Sequence, residues 1–131
     1  MADDKQKSIK ILVVEDDEAS RIIFGRFLDQ MGFSNVVLAE NGKVALEKLN
    51  LNHVGLIISD WRMLDMDGLE LYWKAKNEGL LGKAPFLMVS AENERGKVIE
   101  ALRAGVNDYI VKPVSFKTLQ AKVEKLLNSQ E

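Results

Sequence analysis

The chain has 131 residues, the size of one compact domain and enough to bury a core without metal or disulfide staples. Hydrophobic residues make up 47% and charged residues 29%, which excludes a disordered or fibrous chain. The formal net charge of -2 leaves no basic excess to neutralise a nucleic-acid backbone, and the absence of cysteine excludes disulfides and thiolate chemistry.

The polar start MADDKQKS has no signal-peptide apolar run behind it, and nowhere do about 18 apolar residues follow one another. The expectation is a cytoplasmic monomer with no direct nucleic-acid or membrane contact. A single domain over 1–131 is expected, its ordered core running from about residue 8 to 128.

Five short apolar runs rich in β-branched residues recur along the chain: Ile9 to Val14, Val36 to Leu38, Leu56 to Ile58, Phe86 to Val89 and Tyr109 to Val111. They are continuous rather than alternating, the pattern of parallel strands covered on both faces. The intervals carry helical spacing: Ile23, Phe27 and Met31 in the first, Ala45 and Leu49 in the second, Val98, Ala101 and Leu102 in the fourth. The third interval, Gly68 to Asn77, is the least regular. The last is the clearest, with Phe116, Leu119, Val123, Leu126 and Leu127 forming an apolar stripe behind Ser115 as N-cap. Gly32 and Gly105 stand where the first and fourth helices should stop. Strand and helix alternating five times predict a flavodoxin-like (βα)5 three-layer sandwich, with a five-stranded parallel sheet in the order 2-1-3-4-5.

In such a sheet ligands bind beyond the carboxyl ends of the strands. Those positions hold Glu15, Asp16 and Asp17 after the first run, Asp60 after the third, Ser90 after the fourth and Lys112 after the fifth. One acid at a strand end is most often a turn former or helix cap, the role expected of Asp17. An acidic pair, an acid, a hydroxyl and a lysine at four strand ends is a different matter. Carboxylates converging to about 5 Å would repel by roughly 3 kcal/mol per pair at an effective dielectric near 20. Lys112 or a bound cation must offset that, and an all-oxygen donor set suits Mg²⁺ beside a phosphoryl group.

ILVVEDDEASR, IISDWRMLDMDG, LMVSAE and YIVKP fall in the order and spacing of the response-regulator receiver family, which this chain resembles over nearly its whole length. The resemblance implies a phosphoacceptor at Asp60, an acidic pair at Glu15 and Asp16, a hydroxyl at Ser90, an aromatic switch at Tyr109 and a phosphoryl-neutralising Lys112. It implies Mg²⁺, or Mn²⁺ in its place, held by Asp16, Glu15, Asp60 and the backbone carbonyl of Arg62. Lys112–Pro113 is usually cis in the family. Arg62 and Glu92 occupy the positions that tune the lifetime of the phosphoryl group. The donor implied is a histidine kinase or a histidine phosphotransfer protein, and a phosphatase is a further partner. Such a protein is no conventional turnover enzyme, although it catalyses its own phosphorylation and dephosphorylation.

SDWRM, MDGLELYWK and LMVSAEN resemble chemotaxis regulators of the CheY type most. With no effector segment after the last helix, output is expected through protein binding. The face implied is that of the fourth helix, fifth strand and fifth helix, including Arg95, Val98, Tyr109 and Lys122, with the flagellar motor switch as one candidate target. A phosphate sink and a phosphorelay intermediate are the alternatives inside the family. Outside it stands a flavin- or nucleotide-binding module of the same architecture, disfavoured because the acids of VVEDDEAS would repel an unmetallated phosphate.

One departure concerns the loop after the acceptor, where Leu64 replaces the family's usual proline and altered loop mobility is expected; Gly68 is retained. LDMDGLE hints at a calcium loop, but such a loop needs acids at alternate positions before Gly68 and Met63 occupies the first of them. The lone His53 has no partner histidine or cysteine, so a structural or exposed role is expected.

Overall fold

The computed structural model describes residues 7–91 and 95–129, of Arg95 the backbone only. The strands are β1 (Lys10–Val14), β2 (Asn35–Ala39), β3 (Leu56–Asp60), β4 (Phe86–Ser90) and β5 (Asp108–Val111). Between and after them run the helices α1 (Glu18–Gln30), α2 (Gly42–Leu51), α3 (Gly68–Asn77), α4 (Arg95–Ala104) and α5 (Phe116–Asn128). All strand pairs are parallel, in the order β2-β1-β3-β4-β5. The expected flavodoxin-like sandwich is the observed fold.

The sheet divides the core in two. On one face Ile11, Val13, Ile58 and Val89 pack against Phe24 and Leu28 of α1 and Leu119 and Val123 of α5. On the other, Leu12, Val14, Ile57, Phe86 and Met88 meet Ala45 and Leu49 of α2, Leu71 and Ala75 of α3 and Ala101 of α4. Because successive strand residues point to opposite faces, β1, β3 and β4 must be apolar throughout, and from Ile11 to Val14, Leu56 to Ile58 and Phe86 to Val89 they are.

Cover on both faces fails at the two edges, contrary to expectation. In β2 only Ala39 is fully buried, and in β5 only Ile110, because each edge strand has one neighbour and is incompletely roofed by helices. Of the apolar stripe expected on α1, Met31 is buried and Phe27 packs against the core, but Ile23 is 49% exposed, and Phe24 and Leu28 are the residues fully buried beside them. Leu102 is likewise exposed, and Ala101 and Val106 take its place in the core.

The helix starts are set by side-chain caps. Asp17, Asn41, Asp67 and Ser115 each accept a backbone N–H of the first turn, worth about 1 kcal/mol apiece. Gly32 and Gly105 adopt φ of +98° and +117°, the left-handed conformation that ends a helix at no steric cost.

Candidate functional site

The strand register brings four strand ends to one edge. Asp60 and Ser90 are the last residues of β3 and β4 rather than the residues after them, and both are buried. Asp60 is in register with Val89, and Ser90 with Val111, so Lys112 follows directly and its N–H donates to the Ser90 carbonyl at 2.8 Å. From β1 the chain enters the loop Glu15, Asp16, Asp17, where the N–H of Glu15 donates to the Ala39 carbonyl at 3.0 Å.

These ends converge as the sequence suggests. Carboxylate oxygens of Glu15, Asp16 and Asp60 lie within 4.8 Å of one another. Glu15 and Asp60 are buried and Asp16 is exposed. The ammonium of Lys112 lies 3.0 Å from Glu15 Oε2 and 3.4 Å from Asp60 Oδ2, so the lysine pairs more closely with Glu15 than with the acceptor. The other Glu15 oxygen accepts the N–H of Asp17 at 3.1 Å, and Asp60 Oδ1 accepts the N–H of Trp61 at 3.0 Å.

The charges of this cluster do not balance. Burial, and then the neighbouring Glu15 carboxylate, push the Asp60 carboxyl up to about 7, although Lys112 pulls the other way. Burial alone would lower the Lys112 ammonium, but the hydrogen bond to Glu15 and the charges of Asp60 and Glu15 hold it above its ordinary value. Three acids and one lysine leave room for further positive charge. The donors are all hard oxygens, so the residues fit a divalent cation such as Mg²⁺.

The remaining expected site residues take varied places. Arg62 and Leu64 are exposed and line, with Asp16, Trp61, Met63, Asp67 and Lys97, a hollow of about 460 Å³ beside the acids. Tyr109 is half-buried, its ring meeting Trp61 edge to face. The Lys112–Pro113 peptide is cis. Glu92 lies outside the described residues, as does the side chain of Arg95. His53 is exposed.

Two contributions go beyond the sequence reading. Trp61 bridges Asp60 and Tyr109, its backbone N–H bound to the Asp60 carboxylate and its ring against Tyr109, a role that its position next to Asp60 could have signalled. Gly68 is required sterically: a Cβ there would collide with the Asp60 carbonyl oxygen and lie 2.7 Å from Met88 Sδ. Its own N–H donates to the Trp61 carbonyl at 2.7 Å, closing the loop tightly under the acceptor.

Comparison with known proteins agrees with this geometry. The chain is 38% identical over 124 residues to the chemotaxis protein CheY1 of Helicobacter pylori strain 26695, a match covering 94% of this chain and all of the relative. It is 38% identical over 118 residues to the chemotaxis protein CheY of Pseudomonas aeruginosa PAO1, covering 90% and 95%. Among solved structures, chemotaxis protein CheY4 of Vibrio cholerae superposes with a TM-score of 0.86 at 28% identity, covering 92% of this chain and 99% of the other. The receiver domain of a signal-transduction histidine kinase from Syntrophus aciditrophicus gives 0.83 at 30%, covering 93% and 92%. Residues 11–124 match the response regulator receiver domain, and the chain belongs to that family.

Proposed function

We propose that the protein accepts a phosphoryl group on Asp60 from the phosphohistidine of a two-component histidine kinase or phosphotransfer protein, and that the phosphorylated form signals by binding a protein of a chemotaxis pathway. The observation that carries this reading is the convergence of two further carboxylates and one lysine on Asp60 at the strand ends.

An Asp60 oxygen attacks phosphorus, an O–P bond forms, the P–N bond to the donor imidazole breaks, and the ring nitrogen leaves with the electron pair. Transfer of this kind depends mainly on positioning and charge. Lys112, already 3.4 Å from Asp60, supplies a fixed positive charge to the phosphoryl oxygens. Asp16 and Asp60 would hold a divalent cation directly, Glu15 would reach it through water because both its oxygens are engaged, and the Arg62 carbonyl would complete the set. When bound, that cation supplies further neutralisation of the phosphoryl group. Mn²⁺ serves in place of Mg²⁺.

The Ser90 hydroxyl then turns toward the new oxygens and Tyr109 follows, altering the face made by α4, β5 and α5. On that face Lys122 is tied to Asp108 at 2.9 Å and Val111 is 41% exposed. The 38% identity to chemotaxis proteins over nearly the whole chain supports the chemotaxis assignment, with a flagellar motor switch as the target and a phosphatase as a second partner. The setting is cytoplasmic, where such kinases present their phosphohistidine.

The test is incubation with Mg²⁺ and acetyl phosphate, or with beryllofluoride as a stable mimic, followed by intact-mass measurement. A base-labile adduct lost in Asp60→Asn and in EDTA is expected; an adduct formed equally without Asp60 overturns the reading. Transfer from a phosphorylated histidine kinase then tests the donor.

A further inference from the structure

We infer that Arg21, in the first turn of α1, is a positioning residue for the acidic loop and thereby sets the affinity of the site for a divalent cation. This rests on the proposed cation site at Glu15, Asp16 and Asp60. The contact behind it is direct: Nη1 of Arg21 donates to the Glu15 backbone carbonyl at 2.8 Å.

The placement is unfavourable for helix stability alone. A cation near a helix N-terminus meets the positive end of the macrodipole, which disfavours it by about 0.3–1 kcal/mol. Arg21 stands there nonetheless, its N–H making a first-turn bond to the Asp17 carbonyl at 2.9 Å. Helical side chains lean toward the N-terminus, so the guanidinium is carried back over the loop rather than out into solvent.

What it holds is the peptide plane joining Glu15 to Asp16. The Asp16 carboxylate is exposed and makes no hydrogen bond or ion pair among the described residues, so its direction is fixed by its backbone alone. That backbone is pinned on both sides. Before it, the Glu15 N–H is bound to Ala39 and the Glu15 carbonyl to Arg21. After it, the Asp17 N–H is bound to Glu15 Oε1, and Asp17 Oδ2 accepts the Ser20 N–H at 2.9 Å. The Arg21 side chain is bound to the carbonyl of that plane. Without it the carbonyl loses its partner and the plane can turn, taking Asp16 away from Glu15 and Asp60.

Charge and positioning make opposite predictions, which renders the inference decidable. If Arg21 acted only through its charge, its removal would tighten cation binding. If it positions the loop, removal weakens binding.

The experiment is titration with MgCl2 of the Trp61 fluorescence, in a Trp73→Phe background, for the parent, Arg21→Met and Arg21→Lys, with thermal melts alongside. Arg21→Met is expected to raise the Mg²⁺ Kd about tenfold, as for one lost hydrogen bond to a charged group. Arg21→Lys, which keeps a donor and the charge, is expected to stay within about threefold. An Arg21→Met protein that binds Mg²⁺ as tightly as the parent, or more tightly, overturns the inference. If Arg21→Met does not fold, Arg21→Leu, which also lacks a donor, is judged by the same criterion. A parent protein that binds no Mg²⁺ overturns the cation-site reading itself, which the titration separates from failure of Arg21.

Discussion

The ring of Trp61 meets the ring of Tyr109 edge to face, with centroids 6.2 Å apart and planes at 70°. Trp61 is buried and its backbone N–H is bound to the Asp60 carboxylate, so this one residue meets Asp60 through its backbone and Tyr109 through its ring. Beryllofluoride is therefore expected to change Trp61 emission, and Tyr109→Ala to reduce that change by about half by removing the ring contact. Fluorescence titration in a Trp73→Phe background checks this. An unaltered response in Tyr109→Ala would place the signal wholly at Asp60.

Without a cation, Asp60 costs stability in a pH-dependent way. Burial beside Glu15 pushes its carboxyl up to about 7 in the folded chain, against 3.8 for a free aspartate, so folding takes up a proton between those limits. Stability contributed by that proton is present below about pH 4 and is lost as pH rises to about 7. Asp60→Asn is expected to be more stable than the parent at pH 8 in EDTA, by about 2 kcal/mol, with the gap closing toward pH 5. Urea denaturation at the two pH values measures it.

Gly68→Ala places a methyl against the Asp60 carbonyl and the Met88 sulfur. Neither the β3 backbone nor a core methionine moves freely, so a loss of about 3 kcal/mol is expected, together with slower phosphorylation from acetyl phosphate. Full activity at unchanged stability would mean that the loop yields at no cost.

Asp65 sits at φ +69° in a tight turn, where the Met66 N–H donates to the Leu64 carbonyl at 2.8 Å. That is the geometry of the strained γ-turn with a left-handed central residue. Glycine takes this conformation without steric penalty, and Asp65→Gly is expected to gain about 0.5 kcal/mol. The urea midpoint reads this directly. The strain lies next to Leu64, the residue that replaces the usual proline of the family, so the departure in sequence coincides with an unusual backbone.

Much of this was legible in the chain itself. Continuous apolar runs disclosed the central strands, because two covered faces favour apolar residues at successive positions until the strand ends, where Ser59, Asp60 and Ser90 stand. The edge strands β2 and β5 were legible as strands but not in their exposure, since edge position depends on sheet order rather than on local composition. In α1, Ile23 fits helical spacing as well as Phe24 does, and only the seating of the helix on the sheet separates them. At the site, the strand-end rule found Glu15, Asp16, Asp60, Ser90 and Lys112. It could not find the closer pairing of Lys112 with Glu15, which is decided by distances of 3.0 and 3.4 Å. Nor could it find Arg21, whose partner is a backbone carbonyl and leaves no mark in residue type.

The dispersal of the site along the chain has a consequence for protein synthesis. Glu15 is contributed by the first strand end, Asp60 by the third, Ser90 by the fourth and Lys112 by the last, so the cluster spans most of the polypeptide. A growing chain that has emerged only as far as Ser90 has the acids without the lysine, and lacks the final helix that covers one face of the sheet. Such a fragment cannot offset the repulsion between its buried carboxylates, so the cluster takes its final form only once the fifth strand has joined the sheet.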